Sequence, residues 1–165
     1  MIPEEVEVSR CSQCLNFYWL KEAGWVDPDS PIFLIDDIPG VDPITVDEYF
    51  ELLNEYPRLG RSDERYVRQE IWWGMNDPIR ETLETDYVMN DRYYKNIKRL
   101  YRLLRPSIVE EQIMKAEICR NLGSFKECVE ILSGIKDNEI EKVKNRFLLE
   151  CQLRNSKLFA FETDS

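Results

Sequence analysis

"AEICRNLGSFKECVEIL", residues 116–132, reads as two helices meeting at a glycine. Apolar residues recur every three or four positions on both sides of Gly123, the spacing of one helix face. Gly123 ends the first helix because only glycine enters the left-handed region without a steric cost. Ser124-x-x-Glu127 has the form of a capping box, in which a hydroxyl and a carboxylate satisfy orphan amides at the start of the second helix. Phe125 is placed to fill the base of the hairpin. Ala116 and Cys128 are small enough to let the two helices approach closely.

These four residues, Ala116, Gly123, Phe125 and Cys128, resemble the turn of a tetratricopeptide repeat, where a small residue, a glycine, an aromatic and a second small residue occupy corresponding places. The resemblance implies a closely packed antiparallel hairpin, and the following helix would begin a second, incomplete repeat. The proline that closes the family's repeat is missing, with Lys136-Asp137-Asn138 in its place. A stable solenoid needs about three repeats, so a full array is not implied. A plain hairpin within a bundle would use the same residues.

Working outward, the same signals predict further helices. Thr45-x-x-Glu48, Ser107-x-x-Glu110 and Asn138-x-x-Glu141 are capping boxes, each standing where apolar periodicity begins. Phe50 and Leu53 share a face of the helix after Thr45, which Pro57 and Gly60 stop. Tyr66, Val67, Ile71 and Met75 mark a helix over 62–75, closed by Asp77-Pro78. Tyr93, Ile97, Leu100 and Leu104 mark one over 86–104. Val129, Leu132 and Ile135 continue the apolar face of the helix after Ser124, and Ile140, Val143, Phe147 and Cys151 mark the last. Short connections favour antiparallel neighbours. The fold class is therefore mainly α: an antiparallel helical array with a repeat-like C-terminal hairpin and a small N-terminal β-like knuckle. The expected division is a head over 1–44 and a helical domain over 45–165, packed as one unit.

The head carries "RCSQCLNFYWL", residues 10–20, which reads as two short strands around a turn. A proline-rich loop follows, containing "IFLID" at 32–36. Cys11 and Cys14 have the spacing of half a zinc ribbon, the resemblance being carried by the strand, the C-x-x-C and Phe17, Tyr18 and Trp19. Structural zinc wants four ligands, and the chain has no second pair and no histidine. Asp36 and Asp37, or a symmetric partner's cysteines, would have to complete a site. The expectation is therefore no cofactor, with zinc at Cys11 and Cys14 as the one metal the spacing suggests. A thioredoxin-like redox motif would need a buried strand and a helix N-terminus around the pair, and no βαβ pattern surrounds it.

Charge is divided unevenly. Residues 1–60 hold 13 acidic and 3 basic groups, while residues 61–165 hold 19 of each, so the whole net charge of −10 belongs to the first third. Such a field repels nucleic acid and attracts basic protein surfaces. Asp42, Asp47 and Glu51 are the acids placed on or beside the first helix. The basic run from Arg92 to Arg105 points the other way, toward RNA, but its tyrosines fall on the apolar stripe. Trp72 and Trp73 stand about 100° apart on one helix, so one of them is expected to be partly exposed and available as a binding hot spot.

No stretch approaches the roughly 20 apolar residues of a membrane span, and "MIPEEVEV" lacks a signal-peptide core. Five scattered cysteines argue against a disulfide framework and for a reducing, cytoplasmic compartment. Without histidine there is no imidazole base, and no P-loop, G-x-G-x-x-G or G-x-S-x-G occurs. The expectation is a non-enzymatic protein-binding module whose partner is a basic protein, one concrete form being an immunity-type neutraliser of a cationic toxin. A zinc-knuckle regulatory module and an RNA-binding helical protein are the alternatives.

Overall fold

The structure, a computed structural model, describes residues 7–22, 41–42, 44–82 and 90–159. The "IFLID" segment, Asp36, Asp37 and the first residues of the helix expected from 86 lie outside the described residues. The chain divides into two compact units, Met1–Glu55 and Tyr56–Ser165.

In the first unit, strands β1 (Val8–Cys11) and β2 (Phe17–Trp19) form the expected antiparallel hairpin, with Ser9 opposite Tyr18. A short third strand, β3 (Val41–Asp42), pairs with the other edge of β1, giving the order β2-β1-β3. Helix α1 (Val46–Glu55) belongs to this unit. The boundary thus falls after Glu55, not at 44/45, and an ion pair on β1 explains why: the Arg10 guanidinium lies 2.7 Å from Glu48 and 3.2 Å from Glu51, both on α1. The Thr45 capping box forms in full. Thr45 N–H donates to the Glu48 carboxylate at 2.8 Å, and Glu48 N–H donates to the Thr45 hydroxyl at 3.3 Å. The buried face is centred on Tyr49 and Leu52, with Phe50 and Leu53 only half-buried. With apolar residues at 49, 50, 52 and 53 the stripe is broad, and periodicity does not choose its centre.

The second unit is a run of five helices, each packed on the next: α2 (Arg61–Thr82), α3 (Asp91–Leu103), α4 (Val109–Asn121), α5 (Phe125–Gly134) and α6 (Glu141–Gln152). Helix α2 continues through Asp77-Pro78 instead of stopping there. Pro78 removes one backbone hydrogen bond, a local cost. Tyr66, Val67, Ile71, Trp72, Met75 and Asn76 are all buried just before it, so packing carries the helix past the break. The stripe predicted for α3 is buried throughout, and Asn90 caps it by accepting from the Tyr93 amide at 3.0 Å.

Three of the capping boxes do not form as read. Helix α4 starts after Ile108, and Glu111 turns back to accept from the Arg105 amide and guanidinium. Ser124 stands at the N-cap of α5, but its hydroxyl makes no cap bond, and Glu127 accepts from the Tyr101 hydroxyl at 2.6 Å. Helix α6 starts after Ile140, while Asp137 accepts from the Glu139 amide. At α5 a partner outside the box takes the carboxylate, and at α4 and α6 the neighbouring acid, Glu111 or Asp137, makes the local bonds instead.

The α4–α5 hairpin closes on Gly123, whose φ is +76°. Ser124 N–H donates to Cys119 C=O and Gly123 N–H to Arg120 C=O, the paired bonds of a Schellman turn. Ala116 and Cys128 are fully buried in one cluster with Cys119, Leu132, Ile135, Phe147 and Cys151. Val129, expected inside, is exposed. Because Ala116 is fully buried in this cluster, Ala116→Leu is expected to destabilise the protein by about 1–3 kcal/mol through overpacking. Lys126, whose side chain is 92 % exposed, should accept leucine without loss. Thermal melts of the two variants compare them, and equal shifts would refute the packing register.

Helix α6 ends in a second Schellman turn. Asn155 N–H donates to Glu150 C=O and Arg154 N–H to Cys151 C=O, and Arg154 takes the left-handed position that glycine takes in the first turn, at φ +51°. No helix follows among the described residues. Instead Asn155–Phe159 folds back as a strap held on Arg120. That side chain is fully buried and donates to the carbonyls of Asn155 and Lys157 and to Asn121 Oδ1. Its guanidinium stacks 4.7 Å from the Phe159 ring centre, and Phe159 meets Phe147 edge-on.

Candidate functional site

The candidate acids start from α1. Asp47, Glu51 and Glu55 follow one another at i, i+4 and i+8 and are all exposed, so a helix that buries Tyr49 and Leu52 presents an acidic stripe elsewhere on its surface. Glu48 is not available in the same way. The Thr45 amide first, then the Arg10 guanidinium, hold its carboxyl below the usual range, and both bonds are structural. Asp42 contributes its backbone to β3, and its side chain lies outside the described residues.

The knuckle turn joins β1 to β2 with two bonds, Cys11 N–H to Asn16 C=O at 3.0 Å and Leu15 N–H to Cys11 C=O at 2.9 Å. Leu15 sits at φ +60° and projects into solvent with Tyr18 and Leu20. Cys11 is half-buried and Cys14 exposed, with Cys14 Sγ 3.3 Å from the Tyr18 hydroxyl. That hydroxyl, the Asn16 amide and the Cys11 thiol together hold the Cys14 thiol below its ordinary range. Asp36 and Asp37, the side chains expected to complete a zinc site with Cys11 and Cys14, lie outside the described residues. Among the described residues no group of three or more Cys, Asp or Glu side chains is gathered to hold a metal ion, and two thiolates leave a tetrahedral ion half-coordinated.

In the second unit the two tryptophans separate. Trp72 is 1 % exposed and donates its indole N–H to the Tyr93 hydroxyl at 3.2 Å. It belongs to the core and lacks the exposure expected of a binding hot spot. Trp73 is the half-buried member. Tyr93 in turn accepts from Asn121, which meets Arg120, so a buried polar chain crosses α2, α3 and α4 to the strap. Sequence reading missed this chain. Its one visible signal was Arg120 itself, a charge directly after Ile118 and Cys119 on an otherwise apolar stretch.

The basic run of α3 is also divided. Arg99 makes a bidentate pair with Glu64 at 2.8 and 2.6 Å, and Arg105 pairs with buried Glu111. Lys95, Lys98 and Arg102 remain as exposed cations. The hairpin residues Ala116, Gly123 and Cys128 are structural, while Phe125 is half-buried beneath the Arg154 guanidinium, at 5.5 Å from the ring centre. Phe125, Lys126, Glu127, Glu130 and Arg154 line a shallow hollow at the α4–α5 turn with both charge signs on its rim.

No described helix is long and apolar enough to cross a membrane. Comparison with protein-family models, with curated proteins and with solved structures finds no match for the chain.

Proposed function

We propose that the chain is a non-enzymatic protein-binding module whose acidic first third engages a basic protein. The observation that carries this is the exposed stripe Asp47, Glu51 and Glu55, within a segment that holds all of the net charge. Half-buried Trp73 supports the same reading. A cytoplasmic setting is part of the proposal, supported by five cysteines that are all free. Neutralisation of a cationic toxin is one form such binding would take.

The test is charge reversal. Asp42→Lys, Asp47→Lys and Glu55→Lys together spare Glu48 and Glu51 and so keep the Arg10 pairs intact. The triple variant should lose basic proteins that the unmodified chain captures from native lysate, and higher salt should weaken that capture, because salt screens exposed charges separated by more than about 8–10 Å. Lys95→Glu, Lys98→Glu and Arg102→Glu together should leave it unchanged. Arg99 is excluded from that set because its reversal would break the Glu64 pair. Tight RNA binding lost only with the basic triplet would overturn the proposal in favour of the exposed α3 cations as the binding face.

A further inference from the structure

The C-x-x-C turn is the one place where two thiols lie together at the surface. Cys11 ends β1 and Cys14 sits three residues on, inside a turn closed by backbone bonds on both sides. A tight turn keeps its first and fourth Cα atoms within about 7 Å, and a disulfide spans about 4.4–6.8 Å between Cα atoms. The Cys11 thiol is one of the neighbours that hold the Cys14 thiol below its ordinary range, and Cys14 is exposed. The other three cysteines are buried, and burial pushes the Cys119 thiol up to about 12 and raises Cys128 as well.

We propose that Cys11 and Cys14 form a reversible intramolecular disulfide, closed by exchange with a low-molecular-weight disulfide. The Cys14 thiolate attacks one sulfur of the small disulfide, forming a mixed disulfide and expelling one thiolate. Cys11 loses its proton to solvent and attacks Cys14 Sγ, expelling the second. Two protein thiols are oxidised, one small disulfide is reduced to two thiols, and excess small thiol reverses both steps. Closing the bond takes Cys14 Sγ away from the Tyr18 hydroxyl and so reshapes the exposed tip of Leu15, Tyr18 and Leu20. This proposal stands independently of the acidic stripe and its partner.

The full chain is equilibrated in glutathione redox buffers at neutral pH, quenched with acid, unfolded, alkylated and mapped by peptide mass. The peptide holding Cys11 and Cys14 is expected to lose two hydrogens, while Cys119, Cys128 and Cys151 remain alkylatable. Cys11→Ser should stop at a glutathione mixed disulfide on Cys14. In the folded protein Cys14 should be modified about tenfold or more faster than Cys119, and Tyr18→Phe should slow it by removing the bond that favours the thiolate. Accumulation of the mixed disulfide in the unmodified chain, as in Cys11→Ser, would overturn the proposal. So would both thiols remaining reduced where an unstructured cysteine peptide oxidises. Protection of the pair by added zinc, with one ion per two chains in native mass spectra, would also overturn it and assign the turn to a shared tetrathiolate site.

Discussion

Arg120→Met is expected to release the C-terminal strap and destabilise the protein by about 2–4 kcal/mol. Methionine keeps much of the volume but donates nothing. The carbonyls of Asn155 and Lys157 and the Asn121 side chain would lose their donor, and the Phe147 and Phe159 rings would lose the cation between them. Bonds to a charged donor contribute about 1.5–3 kcal/mol each, and orphaned buried acceptors add their desolvation cost. Detachment of the strap would let the carbonyls reach water and limit the loss. For a domain of this size the change corresponds to a melting temperature lower by roughly 10 °C. Arg120→Lys should fall between, because a single ammonium does not span the same acceptors. Hydrogen exchange of residues 155–159 is the local readout. Native-like protection there, with an unchanged melting temperature in Arg120→Met, would show that Arg120 does not hold the strap.

The second large effect is on acid stability. Glu64 bridges α2 to α3. Its carboxyl is pulled down to about 2, first by the Arg99 bonds and then, against the opposing effect of burial, by Arg68. A carboxylate with a lowered folded pKa contributes stability that is fully present above its unfolded value. That contribution is lost as pH falls through the folded one. The window is therefore about pH 5 to 2. The shift from 4.5 to about 2 sets an upper value of about 3 kcal/mol, reduced because Arg99 is half-exposed and screened. Glu64→Gln is expected to be less stable than the unmodified protein at pH 7 and to converge with it near pH 2. Urea unfolding across that range checks this. Stabilities running parallel from pH 7 to 2 would refute it. Glu111, lowered by Arg105 despite its burial, adds to the same acid limb in both proteins.

The residues that read correctly from sequence share one property: their role is set by neighbours a few positions away. Gly123 ends a helix because its own backbone must turn left-handed, and the Thr45 box closes within four residues. The α3 stripe is deep enough in one face that its register is unambiguous. The misreadings have distant causes. Glu127 is drawn to Tyr101, so a box that was locally well formed was emptied by a distant partner, and α4 starts one residue late, beside a Glu111 that serves Arg105. Trp72 and Trp73 are equivalent in sequence, and the position of Tyr93 on α3 decides which is core. The candidate acids were legible because charge is additive along the chain. Which acids enter ion pairs was not, since Arg10 on β1 takes Glu48 and shares Glu51.

Composition and periodicity by themselves determined that this protein is mainly helical, where most helices lie, that a hairpin turns at Gly123, and that its net charge sits in the first third. Those features depend on backbone preferences and on sums over residues, both local. Tertiary structure alone decided that α2 runs through Pro78, that α1 joins the head, and that Arg120 is a buried cation holding the strap. Each of these depends on which groups meet across long sequence separations. A buried charge or a broken hydrogen bond is tolerated only where packing and partners from elsewhere in the chain offset its cost.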